Sequence, residues 1–244
     1  RGLGDVYKRQ YPICFPKPGW SEQNPYDWFT QSMDGLKELL DGTDRSLVAG
    51  ISFGGQMHGL VALDDKDEVI RPAILWNDGR TTKECDYLNQ VIGKERLSAY
   101  TANISFTGFT APKVLWMKNN EPENFAKIHK IMLPKDYLAF RLSGNYSTDV
   151  SDASGTLFFD VKNRCWSEEM CEICSIKTSW LPKVYESYEE VGTLLPELAK
   201  ELGVSDQVKI VAGAGDNAAA AVGTGTVGDG ACNISLGTSG TVFI

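Results

Sequence analysis

Two glycine-rich stretches carry the residues best suited to chemistry. The first, Gly213-Ala-Gly215-Asp216-Asn217-Ala218, follows the apolar run Val208–Ala212. A carboxylate at a strand-to-helix corner stands at the carboxyl end of a sheet, where α/β proteins place their ligands. Flanking glycines let a substrate approach the backbone closely. The second stretch, Leu236-Gly-Thr238-Ser-Gly240, is a polar turn between two strand-like runs, and its N–H groups and hydroxyls suit a phosphate. An aspartate base together with a phosphate-binding turn suggests phosphoryl transfer to an alcohol, with Asp216 holding the acceptor hydroxyl. Two other readings stay open on these residues alone. Asp216 and the turn can be an ordinary helix N-cap and a hairpin. Gly213, Gly215 and Ala218 also match the dinucleotide pattern GxGxx(G/A), but Asn233 stands where that fold wants an acid, and the motif does not open a βαβ unit. No GxxxxGK(S/T) occurs, which excludes a P-loop.

Cysteine and histidine add little. The six cysteines are scattered, and Cys171-Glu-Ile-Cys174 lacks the second pair or nearby histidine that zinc would want. It reads as two thiols on a helix, in a reduced, cytoplasmic protein. His129, between Lys127 and Lys130, reads as a surface residue.

The elements that must position these groups follow from patterning. The chain has 244 residues, enough for one large domain or two small ones, and its 42% hydrophobic and 23% charged content is that of a globular protein. A net charge of −8 disfavours nucleic-acid binding. No run of 18 apolar residues and no signal-peptide core appears. Tyr11–Phe15 reads as the end of a strand. Asn24-Pro25 reads as a helix cap before a face of Trp28, Met33, Leu36, Leu39 and Leu40. Strands are expected at Leu47–Phe53, Leu60–Leu63, Ala73–Trp76, Ile128–Leu133, Val208–Ala212 and Ala231–Leu236. Helices are expected at Thr82–Val91, Pro112–Asn119, Pro134–Leu142, Ser167–Cys174, Pro196–Leu202 and Asn217–Val222. The alternation implies an α/β domain with a mixed or parallel sheet.

The segment Gly108-Phe-Thr110-Ala-Pro-Lys113-Val-Leu-Trp116-Met-Lys-Asn-Asn120 resembles a signature of the FGGY carbohydrate kinases throughout its length. Gly55-Gln-Met-His-Gly59, Arg71–Arg80, Leu133–Tyr137, Ser151–Thr156 and Gly213–Ala219 extend the resemblance over nearly the whole chain. The resemblance implies an α/β fold of the ribonuclease H-like (actin-like ATPase) class, with sugar and ATP meeting between two domains. It implies Asp216 as the catalytic base, Asn217 as a second sugar contact, and Thr238 as part of a phosphate loop for ATP. Met57 and His58 correspond to the sugar-binding pair of the members that phosphorylate D-xylulose to D-xylulose 5-phosphate with ATP and Mg²⁺. The expected partners are therefore the sugar and ATP, with no nucleic acid or membrane, and a homodimer is compatible. Trp76, Asn77, Asp78 and Arg80 either border the sugar pocket or form an Asx turn with Trp76 in the core. Lys113 and Trp116 read as a helix packed by its tryptophan, with the lysine exposed.

The chain departs from the family at its start. Arg1–Gln10 holds Gly4-Asp5 but no Asp-x-Gly-Thr hairpin, and reads as sequence foreign to the family, with no metal-organising carboxylate. The expected division is residues 11–224 as the sugar-binding domain and 225–244 as the start of a truncated nucleotide-binding domain. A chain so divided is expected to be inactive by itself.

Overall fold

The computed structural model describes residues 8–236 and 240–243. A helix spans Pro25–Leu39, with Asn24 Oδ1 accepting from the Tyr26 amide (3.2 Å) and Pro25 in the first turn, where its missing N–H costs nothing. It buries Trp28 and Met33.

The sheet that matters for the site is built from residues far apart in the chain. Lys209–Val211 runs parallel to Gly50–Ile51 and antiparallel to Glu190–Thr193. Ladder pairing breaks, then resumes as Ala214–Gly215 parallel to Gly54–Gly55. Gly213 makes the break possible. Its φ is +73°, and a Cβ there would lie 2.3 Å from the Phe53 carbonyl oxygen, which accepts from the Ala214 amide (2.9 Å). The second strand then turns directly into the helix Asp216–Gly223.

Beside this sheet, Val61–Leu63 pairs antiparallel with Lys130–Met132, and Ala73–Ile74 with Glu22–Gln23. Val61, Leu63, Ala73 and Ile74 are fully buried, so these strands are apolar on both faces and read as continuous runs. The helix Thr110–Asn120 packs against Leu60, Ile74, Leu88, Phe158 and Met170. The helix Pro134–Ser143 packs Ala139 and Leu142 against Met33, Leu198 and Ile210. Asn233–Leu236 and Gly240–Phe243 form an antiparallel hairpin.

Several expectations need correction. Tyr11–Phe15 is not a strand: only Cys14 bridges, to Glu22, and Tyr11 and Phe15 are exposed. The run Leu47–Phe53 opens as the end of a 3₁₀ turn, Arg45–Leu47, with Leu47 exposed, so the strand starts only at Gly50. The helix from Thr82 continues into a π-helical turn, Tyr87–Gly93, and is broken at Gly93 (φ +100°) before a further helix, Lys94–Thr101. Ser147–Asp149, which pairs parallel with Lys183–Tyr185, gave no apolar signal because its buried side chains are polar.

Candidate active site

Parallel pairing of Gly54–Gly55 with Ala214–Gly215 carries two loops to the same edge of the sheet. Gln56, Met57 and His58 follow one strand, and Asp216 and Asn217 follow the other. Asn217 Nδ2 lies 3.8 Å from Met57 Sδ, which joins the two loops directly. The contact is close because Gly215 has no side chain: a Cβ there would lie 2.9 Å from Met57 Cγ.

Asp216 is the first residue of its helix rather than the cap, which is Gly215. Its carboxylate is exposed at the edge of the site, and its Oδ1 accepts from the Asn217 amide (2.8 Å). Desolvation by the surrounding protein lifts its pKa above the usual carboxylate range, against the pull of that amide. A lifted pKa makes the carboxylate a stronger proton acceptor.

His58 is held on three sides. Its backbone is left-handed (φ +66°), an uncommon state for a residue other than glycine. Its ring stacks on Phe109, centroids 4.6 Å apart and 27° between planes. Its Nδ1 lies 2.8 Å from the Gly155 carbonyl, which can only accept, so Nδ1 carries the proton and Nε2 presents a lone pair. Burial lowers its pKa to about 4, against a partial opposing effect of the Gly155 carbonyl, so the imidazole is neutral at pH 7. Gly155 is needed here, since a Cβ would lie 2.6 Å from His58 Cε1.

Under the site lies a buried ionic knot. Lys135 Nζ lies 2.7 Å from Asp136 Oδ1, 2.8 Å from Asp149 Oδ1 and 3.7 Å from Asp152 Oδ2. Asp149 Oδ2 accepts from Ser151 Oγ (2.6 Å), and Ser151 Oγ accepts from the Gly215 amide (3.1 Å). A Cβ on Gly55 would lie 2.7 Å from Lys135 Cβ. The knot therefore abuts both strands just before their site loops. Burial pushes the Asp152 carboxyl well up, and the neighbouring Asp136, Asp149 and Asp216 add to the push that Lys135 opposes.

Two further readings hold only in part. Asp78 forms the Asx turn, with Oδ1 accepting from the Arg80 amide (2.9 Å), and Arg80 pairs with Asp78 and Glu22 while stacking 3.8 Å over Trp20. Trp76, however, is 43% exposed and lies outside the core. Lys113 is a correction of another kind, because it is fully buried. Helical periodicity could not reveal this, since eight consecutive residues of the helix, from Thr110 to Met117, are buried. Gly155 and Phe109 were also missed as site residues, and no spacing in the chain connects either one to His58. Cys171 and Cys174 are free, buried thiols, with burial raising Cys171 to about 11. His129 is exposed, as expected. Thr238 lies outside the described residues.

Comparison with known proteins identifies the family. Residues 4–223 match the model of the FGGY family of carbohydrate kinases, N-terminal domain. The chain belongs to that family, and its fold is the mixed α/β, actin-like ATPase class that the motifs implied. It is 46% identical over 231 residues to a xylulose kinase of Escherichia coli (strain K12), covering 95% of this chain and 47% of the relative. Among solved structures it is similar to a xyloylose kinase from Brucella ovis, with 42% identity, a TM-score of 0.90, and coverage of 95% of this chain and 48% of the other. It is also similar to a gluconate kinase from Lactobacillus acidophilus, with 28% identity, a TM-score of 0.91, and coverage of 96% and 47%. The chain thus spans about half the length of the relatives it matches.

Proposed function

We propose that this chain is the sugar-binding domain of a kinase that transfers the γ-phosphoryl group of ATP to D-xylulose, giving D-xylulose 5-phosphate and ADP, with Asp216 as general base. The observation that carries this reading is the meeting of Met57 and His58 with Asp216 and Asn217 at one sheet edge. The high identity to xylulose kinases supports the choice of sugar.

In this reading the sugar lies across both loops. His58 Nε2 accepts from one sugar hydroxyl and the Asn217 amide reaches another. The Met57 side chain packs against the carbon skeleton. Asp216 accepts the proton of the attacking hydroxyl as its oxygen bonds to phosphorus and the bond to the ADP oxygen breaks. Phosphoryl transfer depends chiefly on positioning and charge stabilisation, and a base of this kind contributes about 10²–10⁴-fold. Thr238 serves the phosphate turn. Among the described residues, no group of three or more His, Cys, Asp or Glu side chains is arranged to hold a metal ion, so no step is assigned to Mg²⁺ here.

Calorimetry of D-xylulose against the chain, beside ribulose, gluconate and glycerol, tests the sugar. D-xylulose is expected to bind best, and a preference for any other sugar would replace the assignment. In a two-domain kinase carrying this domain, Asp216→Asn should lower kcat by about 10²–10⁴-fold while leaving sugar KM within a few-fold. A wild-type kcat would remove Asp216 from the mechanism.

A further inference from the structure

One fully buried amine near the site is not used by the chemistry above. Lys113 is fully buried in the helix Thr110–Asn120 and forms no ion pair among the described residues. An amine in that position is expensive to bury unless its hydrogens are satisfied. Both of its partners are backbone carbonyls: Nζ donates to His58 O (2.7 Å) and to Gly108 O (2.5 Å). Thr110 Oγ1, one turn earlier on the same helix, also donates to His58 O (3.2 Å).

These contacts fall where the loop most needs support. The left-handed backbone of His58 turns its carbonyl into the protein, where its donors among the described residues are the side chains of Thr110 and Lys113. Gly108 precedes Phe109, the ring on which His58 stacks. Gly108 itself is pressed against the chain, since a Cβ there would lie 2.4 Å from Trp76 O. One amine therefore ties together the loop that carries the imidazole and the loop that carries its stacking partner. With the ring edge on Gly155 O and the ring face on Phe109, the clamp on the carbonyl is a third tether on His58.

We propose that Lys113 is a positioning residue for sugar recognition: its Nζ clamps the His58 and Gly108 carbonyls and so sets where His58 Nε2 meets the sugar. This rests on the reading of His58 as a sugar contact. The lysine does not touch the substrate. A neutral donor of the same reach would serve, because both acceptors are uncharged carbonyls.

The chain contains only two histidines, His58 and His129, so ¹⁵N spectra of the imidazoles resolve His58 without ambiguity. In the wild-type chain His58 is expected as a single Nδ1–H tautomer. Lys113→Met should produce a mixed tautomer at His58, with His129 unchanged, and weaken D-xylulose at least tenfold while near-UV circular dichroism shows the fold intact. Lys113→Gln, which keeps two N–H donors on a shorter stem, should recover part of both signals. A folded Lys113→Met with a wild-type His58 spectrum and sugar affinity within twofold would overturn the proposal. Should Lys113→Met fail to fold, Thr110→Val decides. It removes the second donor to the same carbonyl without changing shape, and is expected to shift the His58 resonances and weaken the sugar two- to fivefold. Unchanged resonances and affinity would count against the clamp. If the wild-type chain binds no D-xylulose, the sugar assignment fails, while the His58 spectra still decide whether Lys113 orders the loop.

Discussion

At the scale of the residue, the proposed sugar site depends on a histidine that stays neutral. A protonated His58 would lose the lone pair at Nε2 and gain an uncompensated charge among Phe109, Gly155 and Lys113. Burial keeps the pKa at about 4, below the ordinary 6.5, so the unfolded chain takes up the proton first as the pH falls. The stability that His58 protects is therefore fully present above pH 6.5 and is lost as the pH drops toward 4, by about 3 kcal/mol at most. Urea unfolding of wild type and His58→Gln at pH 7 and pH 4.5 checks this. The variant should lose less stability between the two values, because it has no proton to take up.

At the scale of the element, two features hold the paired loops in register. One is the close approach at Gly213. Gly213→Ala puts a methyl group into the Phe53 carbonyl and forces a left-handed backbone on alanine, so a loss of about 2 kcal/mol or more is expected in urea unfolding. The other is the buried knot around Lys135. One ammonium faces three carboxylates, and neither oxygen of Asp152 has a hydrogen-bond partner. Asp152 is the group that yields: its pKa rises well above 3.8. An acid with a raised folded-state pKa binds more protons folded than unfolded, so its contribution makes stability fall as the pH rises above about 4. Asp152→Asn keeps the shape and removes that slope. The variant should gain stability relative to wild type as the pH goes from 4 to 8, measured by urea unfolding across that range.

At the scale of the whole molecule, the chain is acidic, with a net charge of −8, while the proposed sugar is uncharged. The groups proposed to meet it are a neutral imidazole, an amide, a thioether and one carboxylate. Recognition of this kind owes little to long-range fields, which salt screens over about 8–10 Å. The dissociation constant of D-xylulose is expected to change by less than twofold between 50 mM and 500 mM NaCl. A tenfold weakening over that range, read by calorimetry, would mean that charge steers the ligand.

Much of this was legible in the chain itself. Asn24-Pro25 marked a helix start, the apolar runs at Leu60–Leu63, Ala73–Trp76 and Ile128–Leu133 marked buried strands, and Gly213–Asn217 marked a strand-to-helix corner with a carboxylate on it, because caps, periodicity and glycine turns are local physics. Motif resemblance was enough to indicate the class and to single out Met57 and His58. What the sequence could not determine is which distant residues complete the site. Gly155 fixes the imidazole tautomer from 97 residues away, Lys113 is buried where an exposed lysine was expected, and Lys135 is held by its neighbour Asp136 and by Asp149 and Asp152 from another segment. These are consequences of packing. A hydrogen bond to a backbone carbonyl leaves no mark on residue type, and the burial of a polar side chain depends on what the rest of the fold sets against it. The sequence by itself determined the chemistry this protein can offer. Only the tertiary structure decided the geometry and protonation in which it is offered, because parallel pairing of Gly54–Gly55 with Ala214–Gly215 is what brings the two halves together.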